Sequence, residues 1–107
     1  MAIKHCPKLN SGELEYEFNE ESRYVRLTKD YPGKGYERGG RFDSSTVIPF
    51  EEINRILKQK SSLKTRDLAH LFVRNLSNNG PRLTAVLVNE NLLRKEANGS
   101  YRVMGTL

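Results

Sequence analysis

Cysteine is almost missing from this chain: Cys6 is the only one among 107 residues. One thiol excludes an internal disulfide and fits a reducing compartment. Long apolar runs are missing too, since none approaches the roughly 18 residues of a membrane span. The opening stretch, MAIKHCPKLNSG, lacks the apolar segment of a secretory signal, so a cytoplasmic protein with no membrane contact is expected. Acidic residues are scarce in one half. Residues 55–107 hold only Asp67, Glu90 and Glu96 against ten Lys/Arg, whereas residues 1–54 hold ten Asp/Glu against eight Lys/Arg. The formal charge of +5 therefore splits into a slightly acidic first half and a strongly basic second half. A one-signed excess repels itself within a compact fold and calls for an acidic partner, nucleic acid being the commonest.

Signatures of catalysis are also lacking. His5 and Cys6 are adjacent, but no second Cys/His pair completes a metal site, and no cofactor is expected. His70 sits between Leu68 and Leu71 in a helical pattern and reads as a satisfied structural histidine. Ser44 and Ser45 have no nucleophile context. Glu20-Glu21 and Glu51-Glu52 are neighbours in sequence and read as turn and helix-start residues. No enzyme is expected. The run KDYPGKGYERGGRFD, residues 29–43, carries Gly33, Gly35, Gly39 and Gly40 but no following Lys-Ser/Thr, so it cannot be a P-loop. Its charges nearly cancel, and it reads as a hairpin loop; YERGGRF is similar to arginine-glycine RNA-binding tracts, in a single copy.

What is present falls into two patterns. ELEYEF alternates strictly, with Leu14, Tyr16 and Phe18 on one face and Glu13, Glu15 and Glu17 on the other, the mark of a half-buried strand. RYVRLT and SSTVI supply two more strands. Residues 1–48 are thus expected as a three-stranded antiparallel meander with a loose N-terminus. After Ile48 the period becomes helical. Pro49, Glu51 and Glu52 suit a helix start, and Phe50, Ile53, Ile56 and Leu57 recur at its spacing. SSLK interrupts, Thr65 can cap a second helix with Leu68, Ala69, Leu71, Phe72 and Leu76 buried, and Pro81 opens a third with Leu83, Val86 and Leu87. Asn98-Gly99 marks a two-residue hairpin turn with both central residues at positive φ. The fold class expected is α+β, with domains 1–48 and 49–107.

TRDLAHLFVRNLSNNGPRLTAVLVNENLLRKEANGSYRV, residues 65–103, resembles a winged helix-turn-helix domain, with PFEEINRILKQK as its first helix. The resemblance implies a small double-stranded-DNA-binding regulator of transcription or replication. Its third helix would enter the major groove, offering Asn78, Asn79, Arg82, Thr84 and Ala85 to bases, while Arg94, Lys95 and Arg102 on the wing grip phosphates together with Lys64 and Arg66. Two features depart from the type: the third helix contains the apolar stretch LTAVLV, and the turn VRNLSNNGP is long. Two alternatives stay open. The aromatic-rich β half is faintly similar to single-strand-binding transcriptional cofactors, whose sheets stack bases on rings. Alternatively, the winged unit binds protein, with the meander as a docking or homodimerisation platform.

Overall fold

The computed structural model describes residues 2–9, 12–31, 40–41, 47–72 and 79–107. Among them the chain is α+β. An antiparallel N-terminal sheet contains β1 (Ala2–Pro7), β2 (Glu13–Asn19), β3 (Tyr24–Tyr31), β4 (Gly40–Arg41) and β5 (Val47–Pro49). Three helices follow, α1 (Phe50–Gln59), α2 (Thr65–Ala69) and α3 (Asn79–Asn89). A second, three-stranded sheet is built from β6 (Ser62–Leu63), β7 (Leu93–Lys95) and β8 (Tyr101–Val103), in the order β6-β8-β7. Most of the glycine-rich run, together with Leu76 and Asn78, lies outside the described residues.

The N-terminal sheet corrects the expected three-stranded meander. Residues expected to be loose form β1, which pairs with β2 along its whole length from Ala2↔Phe18 to Pro7↔Glu13. Two side chains hold it: Cys6 is buried in the core, and the Lys4 ammonium lies 4.7 Å from the Phe18 ring centroid. β2 and β3 pair from Asn19↔Tyr24 to Glu13↔Tyr31, with a register shift between Glu15 and Tyr16 that leaves Thr28 as the extra residue. This bulge returns Asp30 to the inner face opposite Leu14. The far edge of β3 is shared, β4 pairing at Lys29–Asp30 and β5 at Tyr24–Arg26.

The inner face carries Leu14, Tyr16, Phe18, Val25 and Leu27, all buried as the alternation implies. They join one hydrophobic cluster with Phe50, Ile53 and Leu57 of α1, Leu68 and Phe72 of the α2 region, Leu83, Val86 and Leu87 of α3, and Leu63, Leu93 and Tyr101 of the second sheet. Pro49 is the N-cap of α1, in an extended conformation, so the helix begins at Phe50, one position later than the helix-start pattern suggests. SSLK is not a plain interruption but supplies β6. At α2 the capping group is Asp67, whose carboxylate accepts from the Lys64 backbone N–H at 2.8 Å; Lys64 occupies the N-cap and Thr65 begins the helix.

Two close fits follow from the packing of these elements. A Cβ placed on Gly80 would stand 2.3 Å from the Thr65 carbonyl oxygen and 3.2 Å from the Ala69 Cβ, so only glycine lets α3 approach α2 this closely. The second is Glu17. Expected on the solvent face, it is 1% exposed. Tyr24 Oη donates to its carboxylate at 2.6 Å, Arg26 Nε at 2.8 Å and Asn19 Nδ2 at 3.4 Å. The tyrosine hydrogen bond above all, then Arg26 and Asn19, hold this carboxyl below its ordinary value of 4.5 despite burial.

Gly80→Ala should lower unfolding stability by about 1–3 kcal/mol, the usual cost of overpacking a site that cannot give way; a urea midpoint equal to the native chain's would refute the close approach. For Glu17, the folded pKa lies below the unfolded one. Its contribution is therefore complete above pH 4.5 and lost as pH falls through the folded value. Urea midpoints should drop between pH 6 and pH 3 more steeply for the native chain than for Glu17→Gln, and parallel profiles would contradict the role of the charge.

Candidate nucleic-acid interface

The third helix does not present the residues that the winged-domain resemblance directs to bases. Asn79 is 3% exposed, Thr84 1% and Ala85 3%. Thr84 Oγ1 donates to the Gly80 carbonyl at 2.8 Å, which occupies its hydroxyl within the helix. Arg82 is turned onto the fold: one terminal nitrogen donates to Asn79 Oδ1 at 3.0 Å and the other to Asp30 Oδ2 at 3.1 Å. Asp30 also takes Lys8 Nζ at 2.7 Å, so a carboxylate on β3 gathers two cations against the start of α3. The cause is written in LTAVLV. A helix that is apolar around most of its circumference must be enclosed, and α3 is enclosed by α2, by β7 and by the N-terminal sheet.

Its far end is pinned as well. Glu90, just beyond α3, accepts from the Tyr16 hydroxyl and from Lys4 Nζ at 3.0 and 3.1 Å, while Asn89 Nδ2 donates to Tyr16 Oη at 2.8 Å. Tyr16 is fully buried, and burial together with Glu90 pushes its hydroxyl well above the ordinary phenol value. Burial and the neighbouring Glu13 and Glu90 carboxylates raise the Cys6 thiol to about 11, so it is a core residue rather than a nucleophile.

The basic residues expected on the wing are placed differently. Arg94 and Arg102 stand directly opposite each other in the β7–β8 ladder, and Ser62 faces Arg102 from the other side. All three are exposed. Lys95 is exposed at the hairpin end of β7. Lys64 follows Leu63 in extended backbone, so strand alternation puts it on the same outer face as Ser62. Arg66 is exposed in the first turn of α2. Register thus brings Lys64, Arg94 and Arg102 to one face of the second sheet, while Lys95 pairs with Tyr101 at its hairpin end and Arg66 belongs to α2.

The turn that links β7 and β8 is a correction. Gly99 alone is at positive φ, +85°, and Asn98 is not. Gly99 N–H donates to the Glu96 carbonyl at 3.2 Å, and Glu96 N–H to the Ser100 carbonyl at 2.8 Å. This is a three-residue loop closed by a glycine in the left-handed region, not a two-residue turn. Asn98 serves through its side chain, accepting from Ser100 N–H at 3.0 Å and Ser100 Oγ at 2.6 Å.

Ion pairing divides the cations unevenly. Lys4, Lys8, Arg23 and Arg26 in the first half meet Glu90, Asp30, Glu51 and Glu17. In the second half Arg55 meets Glu52, Lys60 meets Asp67 and Arg102 meets Glu96. Among the described residues, Lys58, Lys64, Arg66, Arg94 and Lys95 make no ion pair with a carboxylate. Like charges directly opposite on a ladder are unfavourable, and Arg94 and Arg102 are such a pair with one carboxylate between them.

The outer face of the N-terminal sheet is less suited to bases. Tyr24 and Tyr31 hydroxyls donate to Glu17 and Glu15, and Lys29 covers the Tyr31 ring at 4.7 Å. His5 stacks on Tyr31 with centroids 6.0 Å apart, beside Glu13 and Glu15. Tyr16 and Phe18 are core residues. His70 is exposed at the C-cap of α2, not packed inside it. No helix of the described residues is long and apolar enough to cross a membrane.

Compared with protein-family models, curated proteins and solved structures, the chain matches none.

Because Arg82 braces the fold, Arg82→Ala should cost about 1–2 kcal/mol of stability, leaving Asn79 Oδ1 and Asp30 Oδ2 each one donor short. Chemical denaturation reads this directly, and an unchanged midpoint would mean that the side chain is not engaged.

Proposed function

We propose that the chain is a double-stranded-DNA-binding protein of winged helix-turn-helix type that grips the sugar-phosphate backbone through its β7–β8 hairpin, with α3 serving as scaffold. The observation that carries this reading is the Arg94–Arg102 pair. Two guanidiniums held side by side on a short, exposed ribbon are unfavourable alone and favourable against a polyanion. Lys95 at the ribbon's end, Lys64 on the same face and Arg66 beside it extend the patch without carboxylates of their own. The element order supports the type: three helices precede a C-terminal ribbon, and β6 joins that ribbon to the helical unit.

Contacts of this kind position a protein on DNA without reading sequence. The major-groove reading through Asn79, Arg82 and Thr84 is replaced by a grip that distinguishes one duplex from another only weakly. Such a protein acts in transcription or replication as an architectural element more than as an operator-specific switch. The outer face of the N-terminal sheet, with Glu13 exposed and Glu15 part-exposed on it, suits a protein contact better than a nucleic-acid one.

Binding to duplex DNA should weaken with salt along a log-log slope of about −4 to −5, five cations each contributing about 0.9. Arg94→Ala and Arg102→Ala should each reduce the slope by about one and weaken two unrelated duplexes equally. A titration over three salt concentrations with duplex, single-stranded DNA and RNA tests this. Preference for single strands would move the site to the aromatic sheet, and no binding at low salt would leave a protein-docking module.

A further inference from the structure

Glu96 is the one carboxylate on the basic ribbon, and its position is specific. In residues 55–107 the other two acids are committed elsewhere, Asp67 to Lys64 N–H and Lys60, and Glu90 to Tyr16 and Lys4. Glu96 follows Arg94 by two residues on the same face of the ladder. It lies opposite Ser100, making Arg102 its diagonal neighbour across the strands. It pairs with Arg102, Nε to Oε1 at 2.8 Å. Arg94, directly opposite Arg102, has no such partner. The carboxylate thus neutralises one guanidinium of the pair and leaves the other free to attract.

The pair is built to open. The Arg102 and Glu96 side chains are 64% and 34% exposed, a setting in which an ion pair is worth little and is screened by salt. That exposure leaves the Arg102 guanidinium within reach of a second anion. Beside it is an open cleft of about 730 Å³ lined by Ser61, Ser62, Glu96, Asn98, Ser100 and Arg102. Ser61 and Ser62 are exposed there with their hydroxyls uncommitted, and Asn98 and Ser100 satisfy each other. Two hydroxyls and a guanidinium around one cleft are the donors that a phosphodiester oxygen accepts from.

We propose that this cleft is a phosphodiester site in which Glu96 acts as the resident anion, occupying Arg102 until a backbone phosphate displaces it, so that Glu96 limits affinity for nucleic acid. The inference rests on the duplex-binding reading above and adds to it a regulatory residue and a phosphate position. Displacement costs the Glu96–Arg102 contact at each binding event, and it returns a negative charge beside the phosphate. A carboxylate there favours tight binding only to densely charged polyanions and discourages isolated small anions.

The test is duplex binding by the full chain carrying Glu96→Gln, with Glu20→Gln as a charge-matched control on the exposed turn after β2. Glu96→Gln should tighten binding about fivefold, while Glu20→Gln should change affinity less than twofold. In an Arg102→Ala background the gain from Glu96→Gln should disappear. A purely structural Glu96, present to steady the hairpin, predicts the opposite sign: a looser ribbon and weaker binding. Equal gains from Glu96→Gln with and without Arg102 would reduce the effect to bulk charge and overturn the resident-anion role. A native chain that binds duplex with the expected slope, but is insensitive to Glu96→Gln, overturns this inference alone. A native chain that binds no duplex at low salt overturns it together with the reading on which it rests.

Discussion

The rest of the structure depends on how α3 is held at both ends by the N-terminal sheet. At its start Arg82 reaches Asp30 on β3, which also holds Lys8. Past its end Glu90 takes Tyr16 from β2 and Lys4 from β1. Each clamp joins residues far apart in sequence and is partly buried, so it is protected from the screening that makes surface pairs weak. Between the clamps Leu83, Val86 and Leu87 fill the core with Leu14, Tyr16 and Leu27. The two halves distinguished by composition therefore share one hydrophobic cluster. The sheet covers the helix, and the helix in turn gives the sheet its inner layer.

The same clamps account for the chain's charge layout. Among the described residues, the first-half cations Lys4, Lys8, Arg23 and Arg26 are spent on carboxylates, two of which, Glu17 and Glu90, are drawn into part-buried hydrogen-bond networks. The second half has too few acids to do likewise, and among the described residues Lys64, Arg94 and Lys95 of its surplus lie on or beside β6, β7 and β8, with Lys58 and Arg66 exposed on α1 and α2. A cation that a fold keeps exposed beside another cation, without a carboxylate, contributes to an encounter with something outside the chain more than to stability.

Much of this was legible in the residues themselves, wherever a local period carried the information. ELEYEF and RYVRLT showed β2 and β3, FEEINRIL showed α1, and LTAVLV marked a departure of the third helix from a base-reading type. What was not legible depends on contacts across the fold. AIKHCP lacks a clean alternation, because Lys4 on its inner side finds Glu90, 86 positions away. Glu17 looks like a solvent residue until Tyr24 and Arg26 come alongside. Arg82 was directed to bases by the winged-domain resemblance, since nothing near it in sequence hints at Asp30. Asn98-Gly99 was recognised as a turn but not as a three-residue loop, because the choice is made by Glu96 and Ser100 pairing across it.

Burial of α3 also bears on the kind of recognition that the proposed grip permits. To bring Thr84 and Ala85 to a groove, α3 would have to leave its packing in the core, exposing Leu14, Tyr16 and Leu27 on one side and Leu83, Val86 and Leu87 on the other. Each such side chain costs about 1.5–3 kcal/mol to expose, so the sum equals or exceeds the whole stability of a domain this size, about 5–15 kcal/mol. No folded state with a free α3 is therefore within reach of a ligand's differential affinity. Under the proposed grip, preference among duplexes would have to come from the ribbon, which would touch backbone and sense only how a sequence shapes and bends it. Arg94 and Arg102, directly opposite on the ladder, would then measure the separation of phosphates rather than the identity of bases.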